Sequence, residues 1–136
     1  MGIERINPDG LFELEAFSQI VTSSGGGRIA FIAGQGAFDA DFNLVGPGDL
    51  YAQVVQAVRN LRTAVEAIGG SIDHIVSTNM YIVEIDAAKV AIFGRAMAEA
   101  LDGQPIPPNA STMIGVQGLA MDGMLVEISA VATLPA

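Results

Sequence analysis

From Leu50 onward, apolar residues fall at Val54, Val58, Leu61, Val65 and Ile68, in steps of three and four. That spacing makes one continuous stripe along a helix. Val55, Ala57 and Ala64 widen the stripe, so this helix needs a broad apolar surface to lie on, which a sheet provides. Asp49 is placed to cap the helix N-terminus, where its charge also suits the helix dipole. Gly69-Gly70 supplies the stop. Arg59 and Arg62 point to solvent. A second stripe, Val90, Phe93, Met97 and Leu101, predicts a helix over Ala87–Leu101, capped by Asp86 and ended by Asp102-Gly103.

The rest of the chain supplies the sheet. Glu4–Ile6 reads as a short first strand, stopped by the turn signal Asn7-Pro8-Asp9-Gly10. Leu11–Ala16 is an unpatterned connector. Phe17–Ser23 alternates weakly and predicts a strand, followed by a flexible hairpin turn at Gly25-Gly26-Gly27. That triplet lacks the lysine and helix of a phosphate-binding loop. Arg28–Gln35 is a nearly all-apolar strand, Asp39–Asn43 a polar loop, and Ile75–Val83 a long third strand. Pro105, Pro107 and Pro108 stiffen the segment before Asn109. Thr112–Val116 and Leu125–Ala132 are short and β-branched enough to pair as an antiparallel hairpin. Strands, helix, strand, helix and hairpin together predict one domain over residues 1–136. Its class is α+β, with two helices on one face of a mixed sheet.

Two helices cover one face only. Yet both faces of Ile29–Ala33 and of Leu125–Ala132 are largely apolar, whereas a sheet with one wet face alternates. Another copy of the chain is the natural cover, so the sequence predicts a homo-oligomer.

Composition excludes several function classes. A formal net charge of −9 with six scattered basic residues argues against nucleic acid as a partner. The absence of cysteine removes disulfides, thiolate catalysis and Cys-ligated metals. No apolar run has membrane-spanning length, and Glu4 and Arg5 do not suit a signal peptide. A soluble, cytoplasmic protein is expected.

Few residues carry chemistry. Glu127 is an acid among Val126, Ile128, Ala130 and Val131, with three readings: it positions a water, it is a solvated charge on a sheet face, or it pairs with Arg28. Ser111 and Thr112 either donate hydrogen bonds to a ligand or are ordinary strand residues; with no base nearby they are not nucleophiles. His74 has no second ligand at metal spacing and reads as surface or structural. Asn79 suits an interstrand or interface hydrogen bond. Met97, Met113, Met121 and Met124 read as core and interface filler. Asp39 and Asp41 have incomplete calcium spacing. No metal is expected.

Glu4-Arg5-Ile6-Asn7-Pro8, Phe17-Ser18-Gln19, Gly34-Gln35, the helix from Asp49 to Gly70, Pro108–Thr112 and Val126–Ala132 together resemble the RidA/YjgF family, in the right order along nearly the whole chain. The resemblance implies a chorismate-mutase-like fold and a homotrimer with small-molecule sites in the clefts between subunits. It also implies hydrolysis of reactive imines and enamines, such as 2-aminoacrylate, to a keto acid and ammonia, without metal or organic cofactor. Some members carry an endoribonuclease or translation-inhibitor label, which the acidic charge does not suit.

Transferred residue by residue, the resemblance makes Glu127 the catalytic carboxylate that orients water. The ligand-binding positions become Phe17, Ala33, Gly34, Ala91, Ala110, Ser111 and Thr112. Four of these depart from the family pattern. Ala110 stands where an arginine would grip the substrate carboxylate. Phe17 lacks a hydroxyl, Ala33 replaces a serine and Ala91 an asparagine. This pattern resembles the arginine-lacking branches of the family. It implies weak activity on amino-acid-derived imines and a preference for a neutral or apolar ligand. The second implied role is a non-catalytic binding or protein-stabilising trimer.

Overall fold

The computed structural model describes residues 2–136. The long stripe forms α1, Leu50–Ala67, with Val54, Val55, Ala57, Val58, Leu61 and Val65 buried. Asp49 caps it by accepting a hydrogen bond from the Ala52 N–H at 3.1 Å. At the other end Gly69, at φ +85°, lets its N–H reach Glu66 O while the Gly70 N–H reaches Val65 O, both at 3.0 Å. Two such bonds closing over a left-handed residue satisfy carbonyls that the helix itself leaves open. Arg62 turns back to Asp102 at 3.3 Å, an exposed pair of little energetic weight.

The second helix, α2, spans Ala87–Ala100, and the Asp86 side chain accepts from the Lys89 N–H. Its C-terminus uses the same device as α1: the Asp102 and Gly103 N–H groups reach Glu99 O and Ala98 O. Here the left-handed residue is Asp102, at φ +56°, a conformation Asp tolerates better than most side chains.

The described residues also form six strands: β1 Gly2–Ile6, β2 Ile20–Ser24, β3 Arg28–Gln35, β4 Ile75–Val83, β5 Ala110–Val116 and β6 Val126–Leu134. A mixed four-stranded sheet has the order β3-β6-β4-β5; β4 and β5 run parallel, and the other neighbours are antiparallel. Both helices pack on one face, as expected for an α+β domain. Val126, Ile128, Ala130, Ala132 and Leu134 of β6 are all buried there, together with Ile75, Met80 and Ile82 of β4.

Three expectations are corrected. The segments over 112–116 and 125–132 do not form a hairpin, because β4 lies between β5 and β6. The reason is α2: strand, helix and strand over 75–116 form a crossover unit, whose second strand falls parallel beside its first. That leaves the other side of β4 for β6. The second strand begins at Ile20, not Phe17, because Phe17 and Ser18 belong to a loop whose Ser18 N–H is held by Asn109 O at 2.9 Å. The glycine triplet turns the chain, all three residues at positive φ, but joins strands that do not pair. β2 pairs with β1 in a separate antiparallel ribbon, and β3 pairs with β6.

The sheet's second face is open in the single chain. Phe31 is 81% exposed and Ile29 64%, lying opposite Val131 and Thr133 respectively. Further along β6 this face is mixed, with Glu127 and Ser129 alternating with the buried side chains.

Candidate functional site

Alternation along β5 divides the Ala110-Ser111-Thr112 run. Neighbouring side chains on a strand point to opposite faces. Ser111 is level with buried Thr78, facing the helices; Ala110 and Thr112 are level with Ser77 and Asn79, on the open face. Ala110 and Thr112 there line a cavity of ≈ 330 Å³ together with Phe17, Ser18, Gln19 and Ser77. The resemblance-derived positions Phe17, Ala110 and Thr112 are thus brought together, while the Ser111 side chain turns away beneath them.

Asn109 builds this corner. It is 5% exposed. Its Oδ1 accepts from the Thr78 hydroxyl at 2.9 Å, its Nδ2 donates to Pro107 O, and its main-chain oxygen holds Ser18. A buried amide with its groups satisfied fixes the start of β5 against β4 and seats Phe17 beside Ala110. Arg5 adds a clamp from the ribbon, its Nε donating to Pro108 O at 2.7 Å and its Nη2 to Asp73 O at 3.4 Å. Sequence reasoning missed Asn109, Thr78 and Arg5 as site builders. The available signal was a polar side chain immediately after a proline pair, where the chain must stop being irregular and join a sheet.

Glu127 and Gly34 form a second, separate group. Between Ile32 and Gln35 the register of β3 on β6 slips, so Ala33 and Gly34 bulge past one residue of the partner strand. Glu127 folds over this bulge: a Cβ at Gly34 would overlap its carboxylate. Close approach therefore requires the glycine. We expect Gly34→Ala to displace the flexible carboxylate while costing at most about 1 kcal/mol of stability. Urea denaturation should show a near-normal midpoint, and any Glu127-dependent turnover should fall as far as in Glu127→Gln. Retained turnover would mean that the carboxylate works from another position.

Glu127 lies level with Tyr81, and Ala110 is level with Ser77 and, through it, Val131. Four residues along the strand and two strand spacings across separate them, roughly 16 Å. Ala33 is exposed at the bulge. Ala91 is exposed on α2, in the helix layer, and is brought to neither group.

Arg28 does not pair with Glu127. It sits at the far end of β3, opposite Leu134, and its Nη2 donates to Ile68 O at 2.9 Å. Arg95 is exposed on α2. Arg5 is spent on main-chain carbonyls and is not part of the wall around Ala110.

Other singled-out residues have local roles. His74 Nδ1 accepts the Ser71 N–H at 3.0 Å and closes a capping box on a short 3₁₀ turn. Asp39 accepts from the Asn43 and Asp41 N–H groups, and the Asn43 backbone bond is the main cause holding its carboxyl below the usual range. Among the described residues no three His, Cys, Asp or Glu side chains converge as a metal site. No helix there is long and apolar enough to cross a membrane.

The family model described as endoribonuclease L-PSP matches residues 7–134. A Rid-family protein of unknown function from Yersinia pestis, YyfB, is 34% identical with a TM-score of 0.86, the match covering 98% of this chain and 100% of that one. The chain belongs to the Rid family. Rv2704 of Mycobacterium tuberculosis, a member of the YjgF/YER057c/UK114 group, shares 27% identity at a TM-score of 0.60, over 87% of this Rid chain and 86% of its own. RidA from an Antarctic Psychrobacter shares the fold, at 24% identity and a TM-score of 0.66, over 96% and 99% of the two chains.

Proposed function

We propose that this Rid chain works as a homotrimer whose clefts bind a small carbonyl, imine or enamine compound. In each cleft the Glu127–Gly34 group of one copy faces the Phe17–Ala110–Thr112 group of the next. The observation that carries this reading is the separation of the two groups across the open face of one sheet, with a ≈ 330 Å³ cavity at one of them. Apart, the two groups divide the chemistry: one holds the carboxylate, with Gly34 also lining a ≈ 450 Å³ cavity beside α1, and the other has a wall and no acid or base. Apposed, they give a water-orienting carboxylate beside a pocket.

The chemistry needs only that. Glu127 accepts a hydrogen bond from a water, and the water oxygen attacks the imine carbon. The C–O bond forms as the C=N π pair moves to nitrogen, the water's two protons pass to nitrogen, the first by way of Glu127, and the C–N bond breaks as the oxygen closes the carbonyl and ammonia leaves. Ala110 offers no cation to a substrate carboxylate, which supports reading the chain as a member of an arginine-lacking branch. It favours substrates whose reacting carbon carries a neutral group.

The test is ammonia release from imines generated in situ, measured beside solution mass. Expected are a trimer mass at micromolar concentration, slow release from 2-aminoacrylate above the spontaneous rate, and return to that rate in Glu127→Gln. A monomer, or a Glu127→Gln variant as active as wild type, overturns the proposal. A trimer that binds imine analogues and releases no ammonia would instead fit the non-catalytic binding role.

A further inference from the structure

Beneath β5, on the face opposite Ala110, lies a second cavity of ≈ 430 Å³. Its walls are Val90, Phe93, Gly94 and Met97, one stripe of α2, and Met80 and Met113 from the sheet. No charged side chain lines it, and the volume lies within the range of small-molecule sites. A recess of ≈ 60 Å³ continues past Met80 and Met97 to the Thr78–Asn109 pair. We infer that this cavity is a second binding site, taking a neutral, largely hydrocarbon small molecule whose one polar group meets the Ser111 hydroxyl.

Three observations select that ligand. First, polar capacity in the wall is scarce. The Thr78 hydroxyl is committed to Asn109 Oδ1, and the Asn109 amide donates to Pro107 O, which leaves Ser111 as the hydroxyl available to a guest. A charged ligand would lose its hydration and find no counter-ion. Second, Gly94 stands inside α2, where glycine weakens a helix relative to alanine. Packing does not require it, because a Cβ there would meet nothing within 4 Å. What the missing side chain does is keep the wall open between Val90 and Met97. Third, the three methionines are unbranched and adapt to irregular apolar shapes. Phe17, packed edge-on against Phe12 with ring centroids 5.8 Å apart, lines this cavity and the open-face one alike, and so forms their shared end wall.

The site is independent of the Glu127 chemistry, and its test reads binding alone. The intact protein is titrated with N-phenylnaphthylamine, a neutral fluorophore that brightens in apolar surroundings. Saturable binding at one probe per chain is expected. Gly94→Leu, which places a side chain in the open space, should weaken binding by about tenfold or more. Gly94→Ala should weaken it less while raising the urea midpoint, which keeps the test valid should the leucine variant fold poorly. Ala110→Arg and Glu127→Gln, both on the other face, should bind the probe as wild type does. Non-saturable binding, or wild-type affinity in both Gly94 variants, overturns the inference, as does binding that tracks Ala110 or Glu127.

Discussion

Ala110→Arg should raise kcat/KM for ammonia release from 2-aminoacrylate by roughly thirtyfold, equivalent to about 2 kcal/mol of added hold on the substrate carboxylate. A guanidinium presents a planar fork that matches a carboxylate bidentately, and few side chains substitute for it. Room exists, because Ala110 is half-buried at the wall of a ≈ 330 Å³ cavity. The backbone there is fixed by Asn109, so the new side chain starts from a defined position. The gain should shrink for an imine without a carboxylate, and that contrast separates a restored anion grip from a general change in the protein. An equal gain on both substrates, or none on either, would show that position 110 does not face the reacting molecule.

Gln53→Leu should destabilise the fold by about 3 kcal/mol or more, read as a fall in the urea midpoint. Gln53 is fully buried on α1, yet its amide is spent entirely on backbone. Its Nε2 donates to Gly46 O at 3.2 Å and Gly123 O at 3.0 Å, and its Oε1 accepts from the Leu125 N–H at 2.8 Å. One side chain therefore ties the helix to the loop before it and to the turn that leads into β6. Leucine fills a similar volume but strands the Gly123 carbonyl and the Leu125 N–H away from water, and leaves Gly46 O with the Asp49 N–H alone. A loss below about 1 kcal/mol would mean that water reaches those groups.

Both helix starts are legible in the sequence, because Asp49 and Asp86 act within one turn of themselves. The Gly69-Gly70 stop is local in the same way. The bounds of β3 and β4 are legible for a related reason: a run of apolar and β-branched residues ends where turn residues begin. Partnership is another matter. Whether β6 pairs with β5 or with β4 depends on the whole crossover through α2, and local pairing chemistry favours the wrong answer.

The candidate site divides along the same line. Glu127 stands out because an acid in an apolar strand is conspicuous, and the family resemblance names Phe17 and Ala110. That Ser111 turns to the opposite face follows from a period of two, once β5 is known to begin at Ala110. Gln53 illustrates the remaining gap. It sits on the buried stripe three positions after Leu50, but nothing nearby in sequence discloses that its partners lie at Gly123 and Leu125.

β3 and β5 end the four-stranded sheet, each with one edge that pairs with no further strand among the described residues, and β3 also displays Phe31 and Ile29 on its open side. On the assembly proposed above, a subunit stripped of its neighbours offers two ready templates for strand addition by any passing polypeptide. Failure to assemble should therefore surface as precipitation rather than as a well-behaved single subunit, and solubility becomes a gauge of how well copies find one another.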